Sequence, residues 1–121
     1  MAGKFDAATL DELRNAKEVS VRAGKHSDRG VVIWVVVAAD DVFIRSVQGP
    51  KGRWYRSAVA NGLANLEVDH RLIPAEAVPV TDSATIAMVS DAYLAKYEPS
   101  PYAKAMIRAE VLPTTLRLQP P

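Results

Sequence analysis

The sequence contains no cysteine. This absence excludes disulfide bonds, thiolate nucleophiles, iron–sulfur ligation and cysteine-based zinc sites. Histidine is nearly as scarce, because His26 and His70 are the only two and neither has a second metal ligand at helical or turn spacing. We therefore expect no metal site. A cysteine-free chain fits a reducing compartment, and we predict a cytoplasmic protein.

Long apolar runs and an excess of one charge are also missing. The longest apolar run, 31–39, is about half as long as a membrane span requires, and the first residues show no apolar stretch typical of a signal peptide. Fifteen Lys and Arg face fourteen Asp and Glu, which leaves a formal net charge of +1. No general field attracts nucleic acid or an anionic membrane, so we predict neither as a partner.

Catalytic motifs of the common enzyme classes are absent. The sequence has no Walker loop, no dinucleotide glycine fingerprint and no nucleophile elbow. Asp69-His70 stands far from the serines along the chain, and Asp40-Asp41 is more simply a hairpin turn than a catalytic carboxylate pair. The sequence alone does not name a reaction.

The 121 residues have room for one domain, 1–121, with one core. Side-chain alternation predicts six strands in this short chain, which favours a small antiparallel barrel, closed or partly open, with helices packed outside. The predicted fold class is mainly β with flanking helices, built on a six-stranded antiparallel barrel. The predicted helices are 9–17, 53–61, about 83–97 and one restarting at 100, and Gly62 is the predicted C-terminal cap of the second. The predicted strands are 19–23, 31–37, 42–47, 65–69, 73–80 and 114–118.

The strand 31–37 is apolar on both of its side-chain parities. Both of its faces must therefore be covered. A barrel interior would cover one face, and helices or a partner subunit the other. This pattern, together with the fold, predicts a homodimer.

One segment is strongly basic. Between Val42 and Leu66 there is no acidic residue, yet four Lys and Arg side chains fall there. Three of them flank a glycine-bearing turn that opens a helix, and a helix N-terminus presents free N–H groups to anions. The turn thus suits a phosphate, with Ser46 as a hydroxyl donor beside the cations. The four cations are Arg45, Lys51, Arg53 and Arg56.

Two other interpretations of this segment stay open. The cations are equally well explained as solvated surface charges. Trp54 and Tyr55 have the flat rings needed to stack on a cofactor ring, but aromatics at helical spacing more often anchor a core. Sequence reasoning treats them as packing residues.

Five segments spread along the chain form a recognisable pattern: IWVVV at 33–37, VFIRS at 42–46, GPKGRWYR at 49–56, SPY at 100–102 and TTLRL at 114–118. Together they closely resemble an uncharacterised bacterial family of short proteins known as a domain of unknown function. That family in turn resembles a branch of the split β-barrel superfamily, which includes pyridoxamine phosphate oxidases and deazaflavin-dependent nitroreductases. The resemblance implies an FMN-binding-like split β-barrel with FMN or a deazaflavin coenzyme as cofactor, bound between the subunits of a homodimer.

The resemblance also implies binding residues. In the oxidase group a strand, a serine- and lysine-bearing turn and a helix grip the FMN phosphate, and the matching candidates here are Arg45, Ser46, Lys51 and Arg53. The Trp-Tyr-Arg helix of the deazaflavin group resembles 54–56, which adds Trp54 as a cofactor-binding candidate. The first hairpin loop, 24–30, is shorter than the basic, glycine-rich loop of the deazaflavin enzymes.

Three functions follow as hypotheses. The first is an FMN- or deazaflavin-dependent oxidoreductase, in which the cofactor performs the chemistry. The second is a cofactor-free binding module that uses the basic turn for an anionic small molecule. The third is a cofactor-free enzyme that shapes an organic substrate in the barrel cavity.

Overall fold

The computed structural model describes residues 3–23 and 30–121. In this part the chain forms three α-helices and eight strands, and three 3-10 helices at Gly49–Lys51, Ala103–Ile107 and Leu112–Thr114. The helices are α1 (Ala7–Asn15), α2 (Arg53–Asn61) and α3 (Ser83–Tyr97). The strands are β1 (Val19–Arg22), β2 (Val31–Ile33), β3 (Val35–Ala38), β4 (Asp41–Ile44), β5 (Asn65–Val68), β6 (Arg71–Ile73), β7 (Glu76–Pro79) and β8 (Leu116–Gln119).

Local signals account for the helix ends. The Asp6 carboxylate accepts the N–H of Thr9 at 2.8 Å, so α1 begins two residues earlier than the predicted helix 9–17. Asp82 caps α3 in the same way, through the N–H of Thr85 at 2.9 Å. The predicted C-terminal cap of α2 is confirmed, since Gly62 adopts the left-handed conformation with φ 69°.

The strands form two antiparallel sheets of four strands each. Sheet A has the order β2-β1-β5-β6, and sheet B has the order β3-β4-β8-β7. The tight turn at Ala39-Asp40, with positive φ at both residues, joins β3 to β4 and confirms the predicted hairpin there. Asp69-His70 forms an equivalent turn between β5 and β6.

The prediction of six strands in one barrel is not confirmed. Two of the predicted strands are bent and shared between the sheets, which gives eight strands. The predicted strand 31–37 supplies β2 to sheet A and β3 to sheet B, whereas 73–80 supplies only Ile73 to β6 of sheet A and Glu76–Pro79 to sheet B as β7. The first bend lies at Trp34, whose carbonyl accepts a hydrogen bond from the Tyr93 hydroxyl at 3.0 Å. The second lies at Pro74, which has no N–H to offer a ladder. Across the described ranges the two sheets do not close into a single barrel.

A core fills the space between the sheets. It takes alternate side chains from both, as the strand period of two requires. Sheet A supplies Val19, Val21, Leu66 and Val68, and sheet B supplies Val35, Val42, Ile44, Leu116 and Leu118.

Helix α3 covers the β3–β4 half of the other face of sheet B. Val36 and Phe43 point away from the first core and pack with Tyr93 and Tyr97 of α3. Both parities of β3 are therefore buried, as the doubly apolar pattern predicts. The β2 half of the same run differs, because Val31 and Val32 are 46% and 61% exposed.

Two further predictions concern the loop 24–30 and the absence of a membrane-spanning segment. His26 and nearly all of the predicted loop 24–30 lie outside the described residues. Within 3–23 and 30–121, no helix combines the length and apolarity needed to cross a bilayer.

Candidate functional site

A cleft of about 550 Å³ opens beside the bend between β2 and β3. Four pieces of the chain surround it: strand β2 with Trp34, the segment after β4, the start of α2, and the segment from Tyr102 into the 3-10 helix Ala103–Ile107. Its volume lies in the range of small-molecule sites. The lining residues are Val31, Val32, Ile33, Trp34, Arg45, Ser46, Val47, Gln48, Arg53, Trp54, Tyr102, Ala105 and Met106.

The cleft is apolar, aromatic and positively charged. Most of its lining side chains are aliphatic or aromatic, two are arginines, and none of the thirteen is a carboxylate. A second hollow, lined by residues 94–104 around the end of α3, is more open and contains none of the predicted site residues. The first cleft is therefore the candidate site.

Arg45 forms the inner wall of the cleft and is only 1% exposed. Its Nε donates to Thr115 Oγ1 at 2.8 Å, and Nη1 donates to Ser90 Oγ at 2.9 Å and to the carbonyl of Met106 at 3.0 Å. Nη2 donates to the carbonyl of Ile86 at 2.8 Å. Four hydrogen bonds thus tie β4 to α3, the 3-10 helix Ala103–Ile107 and the segment before β8.

All four partners of Arg45 are neutral. Within the part of the chain that the structure describes, no carboxylate lies within ion-pairing distance of its guanidinium. Burial lowers the pKa of Arg45 from its ordinary value, but a guanidinium in a protein still keeps its proton. The ring of Tyr93 lies 5.6 Å from the guanidinium carbon, and burial raises the pKa of that phenol. The inner wall therefore carries one permanent positive charge.

Ser46 shapes the turn beside Arg45. Its hydroxyl donates to the carbonyl of Gly49 at 2.8 Å, and its N–H donates to Thr114 Oγ1 at 2.9 Å. A Cβ at Gly52 would collide with the Ser46 hydroxyl, so this compact turn requires glycine there. Ser46 thereby holds the turn that starts α2.

The start of α2 provides the outer wall. Arg53 is exposed at the first helical position, and no side chain caps the helix at Gly52. Trp54 is half-buried, packs against the core and meets Tyr55 edge to face at 6.3 Å between ring centroids. It therefore serves as a packing residue and also lines the cleft. Lys51 is exposed and does not line it.

The structure brings four of the five predicted site residues to one cleft, and Lys51 lies on the adjoining turn. Arg45 and Ser46 reach it as buried residues bonded to protein atoms, while Arg53 and Trp54 reach it from the helix. Whether these residues bind a cofactor stays a prediction.

Trp34 is a lining residue that sequence reasoning missed. It stacks flat on Tyr97, with ring centroids 4.0 Å apart and an angle of 2° between the planes. Tyr97 is itself held, because its hydroxyl donates to the carbonyl of Lys17 at 2.7 Å and accepts the N–H of Val35 at 3.3 Å. In the sequence Trp34 is one apolar residue in an apolar run, so no local signal separates it. Tyr102, 73% exposed at the opposite side, was also missed as a site residue.

Lys96 supports this aromatic pair from behind. Its ammonium donates to the carbonyls of Leu13 at 2.9 Å and Val35 at 2.7 Å and lies 5.3 Å from the ring centroid of Tyr97. Burial lowers the pKa of Lys96 to about 8 and raises that of Tyr97 to about 12. Both groups lie outside the lining of the cleft and act on its geometry through Trp34.

Metal ligands are not assembled in the described chain. Across 3–23 and 30–121, no three His, Asp or Glu side chains are close enough to hold an ion together. His70 lies exposed in the β5–β6 turn and is not part of the cleft.

Two solved structures share the fold. The conserved hypothetical protein Rv2991 from Mycobacterium tuberculosis aligns with a TM-score of 0.65 at 9% identity, covering 98% of this chain and 80% of that one. An F420-H2 dependent reductase, FDR-A, aligns with a TM-score of 0.60 at 16% identity, covering 84% of this chain and 93% of that one. At these identities the likeness establishes only that this chain has a fold similar to those of the two proteins.

Sequence comparison identifies the family. No curated protein matches significantly. The model of a bacterial family, described as an uncharacterized protein conserved in bacteria, matches residues 9–118, which is most of the chain. The chain therefore belongs to the bacterial family DUF2255.

Proposed function

We propose that this protein is a deazaflavin- or flavin-nucleotide-binding oxidoreductase of the split β-barrel kind, acting on a small molecule in the reducing cytoplasm. The observation that carries the proposal is the cleft itself: aromatic walls, two arginines and no carboxylate, placed at the start of a helix. The fold shared with an F420-H2 dependent reductase favours the deazaflavin over FMN. The two bent strands, each shared between the sheets, suit the two halves of a split barrel.

The start of α2 is where this chain would hold the cofactor phosphate. Its first N–H groups have no side-chain cap, and Arg53 is exposed beside them. Free N–H groups and the positive end of the helix dipole stabilise an anion, and a guanidinium adds a charge-assisted hydrogen bond. Lys51, on the turn just before, supplies a further charge near the same point.

The apolar part of the cleft would hold the ring system. Trp34 offers a flat surface that Tyr97 keeps rigid from behind, and Trp54 lies at the helical side. When bound, the cofactor supplies hydride transfer, which needs no protein nucleophile or metal. Arg45 and Ser46 hold the cleft wall and the turn before α2 in place. The protein itself would therefore bind and orient the cofactor and exclude water from the cleft.

The test is retention of a cofactor by the purified protein. The protein is mixed with the F420 coenzyme and, separately, with FMN, and the absorbance of the protein fraction after gel filtration shows whether the coenzyme is retained. The affinity for a retained coenzyme is then measured by titrating the protein with it. We expect one of the two to be retained, and Arg53→Gln to weaken it by about 1.5 to 3 kcal/mol through the lost phosphate contact. Arg56→Gln is the matched control, because Arg56 is exposed on the same helix and does not line the cleft.

A second function is favoured by the same charge pattern. Two arginines without a carboxylate would also serve a cofactor-free binding module for an anionic small molecule. If the protein retains neither coenzyme but shows a thermal shift with simple organic anions, this function replaces the oxidoreductase.

A further inference from the structure

Arg45 differs from the other arginines of the described chain. Five of them lie within 4.0 Å of an Asp or Glu oxygen, and all five are more exposed than Arg45. Two more, Arg53 and Arg56, have no such partner but are exposed to water. Arg45 alone combines almost complete burial with the absence of a counterion. The five paired arginines are Arg14, Arg22, Arg71, Arg108 and Arg117.

Burying a charged side chain without a counterion lowers the stability of a folded protein. A buried charge is ordinarily neutralised by an opposite charge, since hydrogen bonds to neutral groups stabilise it only in part. A guanidinium has five N–H groups, and the four bonds of Arg45 use four of them. One N–H of Nη2 has no acceptor within 3–23 and 30–121. A structural role for Arg45, linking the end of β4 to its neighbours, explains the four hydrogen bonds. It does not explain why the buried residue carries a charge without a counterion.

The position of Arg45 supplies the missing explanation. It lies in the wall of the cleft, and the other walls are mostly aliphatic or aromatic. Away from bulk water, a charge is screened weakly and acts strongly on a group a few ångströms away. An anion placed in the cleft would supply the counter-charge that the fold lacks.

We propose that the cleft selects an organic anion, a molecule with an apolar or aromatic body and one negative charge, and that Arg45 is the positioning residue that attracts this charge to the inner wall. Tyr102 provides a flat surface for the body, while Trp34 and Trp54 are the surfaces proposed for a cofactor ring. The inference rests on the proposed use of this cleft and names the class of its small-molecule substrate. It does not require that a cofactor be bound.

The first test compares two probes of the same shape. Binding of 2-naphthoate and of its neutral amide, 2-naphthamide, to the full chain is measured by isothermal titration calorimetry without added cofactor. We expect the acid to bind at least tenfold more tightly than the amide. Equal affinities, or a preference for the amide, would overturn the proposal.

Charge-changing variants assign the preference to Arg45. Arg45→Lys keeps the charge and should keep the acid preference, whereas Arg45→Gln should reduce it to less than about threefold. Arg56→Gln is the control, because Arg56 is exposed and does not line the cleft, and Arg53→Gln tests the second, exposed arginine of the lining, whose charge is screened by water. Loss of the preference in Arg53→Gln with its retention in Arg45→Gln would contradict the proposal. The ratio of two affinities is insensitive to a general loosening of the fold.

A salt series keeps the proposal testable if Arg45→Gln does not fold. The acid preference of the wild-type protein is measured at roughly 0.05 and 0.5 M salt, which shortens the screening length about threefold. A preference due to the buried Arg45 should persist, and one due to the exposed Arg53 should collapse. Cofactor retention is read in a separate experiment, so a protein that selects the acid but retains no flavin refutes only the proposed oxidoreductase. A protein that retains a flavin but ignores the probe charge refutes only this inference.

Discussion

Sheet A and sheet B each have four strands, but the described residues bury less of the surface of sheet A than of sheet B. Sheet B is buried by the common core on one face, and on the other face α3 buries its β3–β4 half. Sheet A is buried on one face, and its second face carries polar side chains and exposed apolar ones. That outer face includes Ser20, Arg22, Val32, Glu67 and Leu72.

The difference separates the sheet that fixes Arg45 from the sheet whose edge strand lines the cleft. Sheet B fixes Arg45, which follows β4, through bonds to α3 and to the segment before β8. Sheet A presents its edge strand β2 to the cleft, with Val31 and Val32 exposed. An exposed sheet edge presents unpaired backbone groups that a second chain can pair with, which is the basis of the homodimer proposal tested below.

The largest expected change in the free energy of unfolding comes from a substitution that tests the burial of sheet B. Phe43→Ala removes a fully buried ring between β4 and α3, so we expect a loss of about 3 to 5 kcal/mol in the free energy of unfolding. Leu72→Ala on the outer face of sheet A should change it by only about 0.5 kcal/mol or less. Urea unfolding followed by circular dichroism measures both. Comparable losses would mean that the two sheets are equally buried in solution.

A smaller effect concerns the pH dependence of the α3 layer on sheet B. The pKa of Lys96 is lowered to about 8 in the folded protein and is ordinary, at about 10.4, in the unfolded chain. Between these values the unfolded chain binds more protons, so stability contributed by this group rises with pH from about 8 towards 10. Above that range the raised pKa of Tyr97 acts in the opposite direction, because unfolding then exposes a phenol that ionises more readily.

Lys96→Met isolates the lysine. The difference in unfolding free energy between wild type and this variant is measured by urea titration at several pH values from 7 to 10. We expect the wild type to gain stability relative to the variant as pH rises through this window. A difference that stays constant would show that Lys96 titrates in the folded protein as it does in the unfolded chain.

The smallest effect on folding concerns the edge of sheet A and tests the homodimer that we propose. Val32→Lys places a charge on an exposed edge position, so the unfolding free energy of the monomer should change by about 0.5 kcal/mol or less. If a second copy covers β2, the same change should disrupt the dimer, because the charge would be buried without a partner. Light scattering coupled to size exclusion reads the mass of both proteins, and a wild-type monomer would remove the dimer proposal.

Sequence reasoning succeeded where the signal is local. It placed α2 at 53–61 and its cap at Gly62, and it identified Asp40 as part of a hairpin turn. Caps, glycines and alternation depend on neighbours a few residues away. It failed at Trp34, whose carbonyl accepts a hydrogen bond from the Tyr93 hydroxyl, 59 positions along the chain and outside any local pattern.

The basic segment 42–66 shows most clearly the difference between what local sequence signals predict and what tertiary contacts decide. The sequence by itself determined that four cations lie in this segment, three of them flanking a glycine-bearing turn, that no carboxylate accompanies them and that a helix begins there. Only the tertiary structure decided that Arg45 is buried while Arg53, eight residues later, is exposed. The partners that bury Arg45 lie 41 to 70 positions away, in α3, the 3-10 helix Ala103–Ile107 and the segment before β8. Contacts over such separations are set by how the elements pack, which no local pattern encodes.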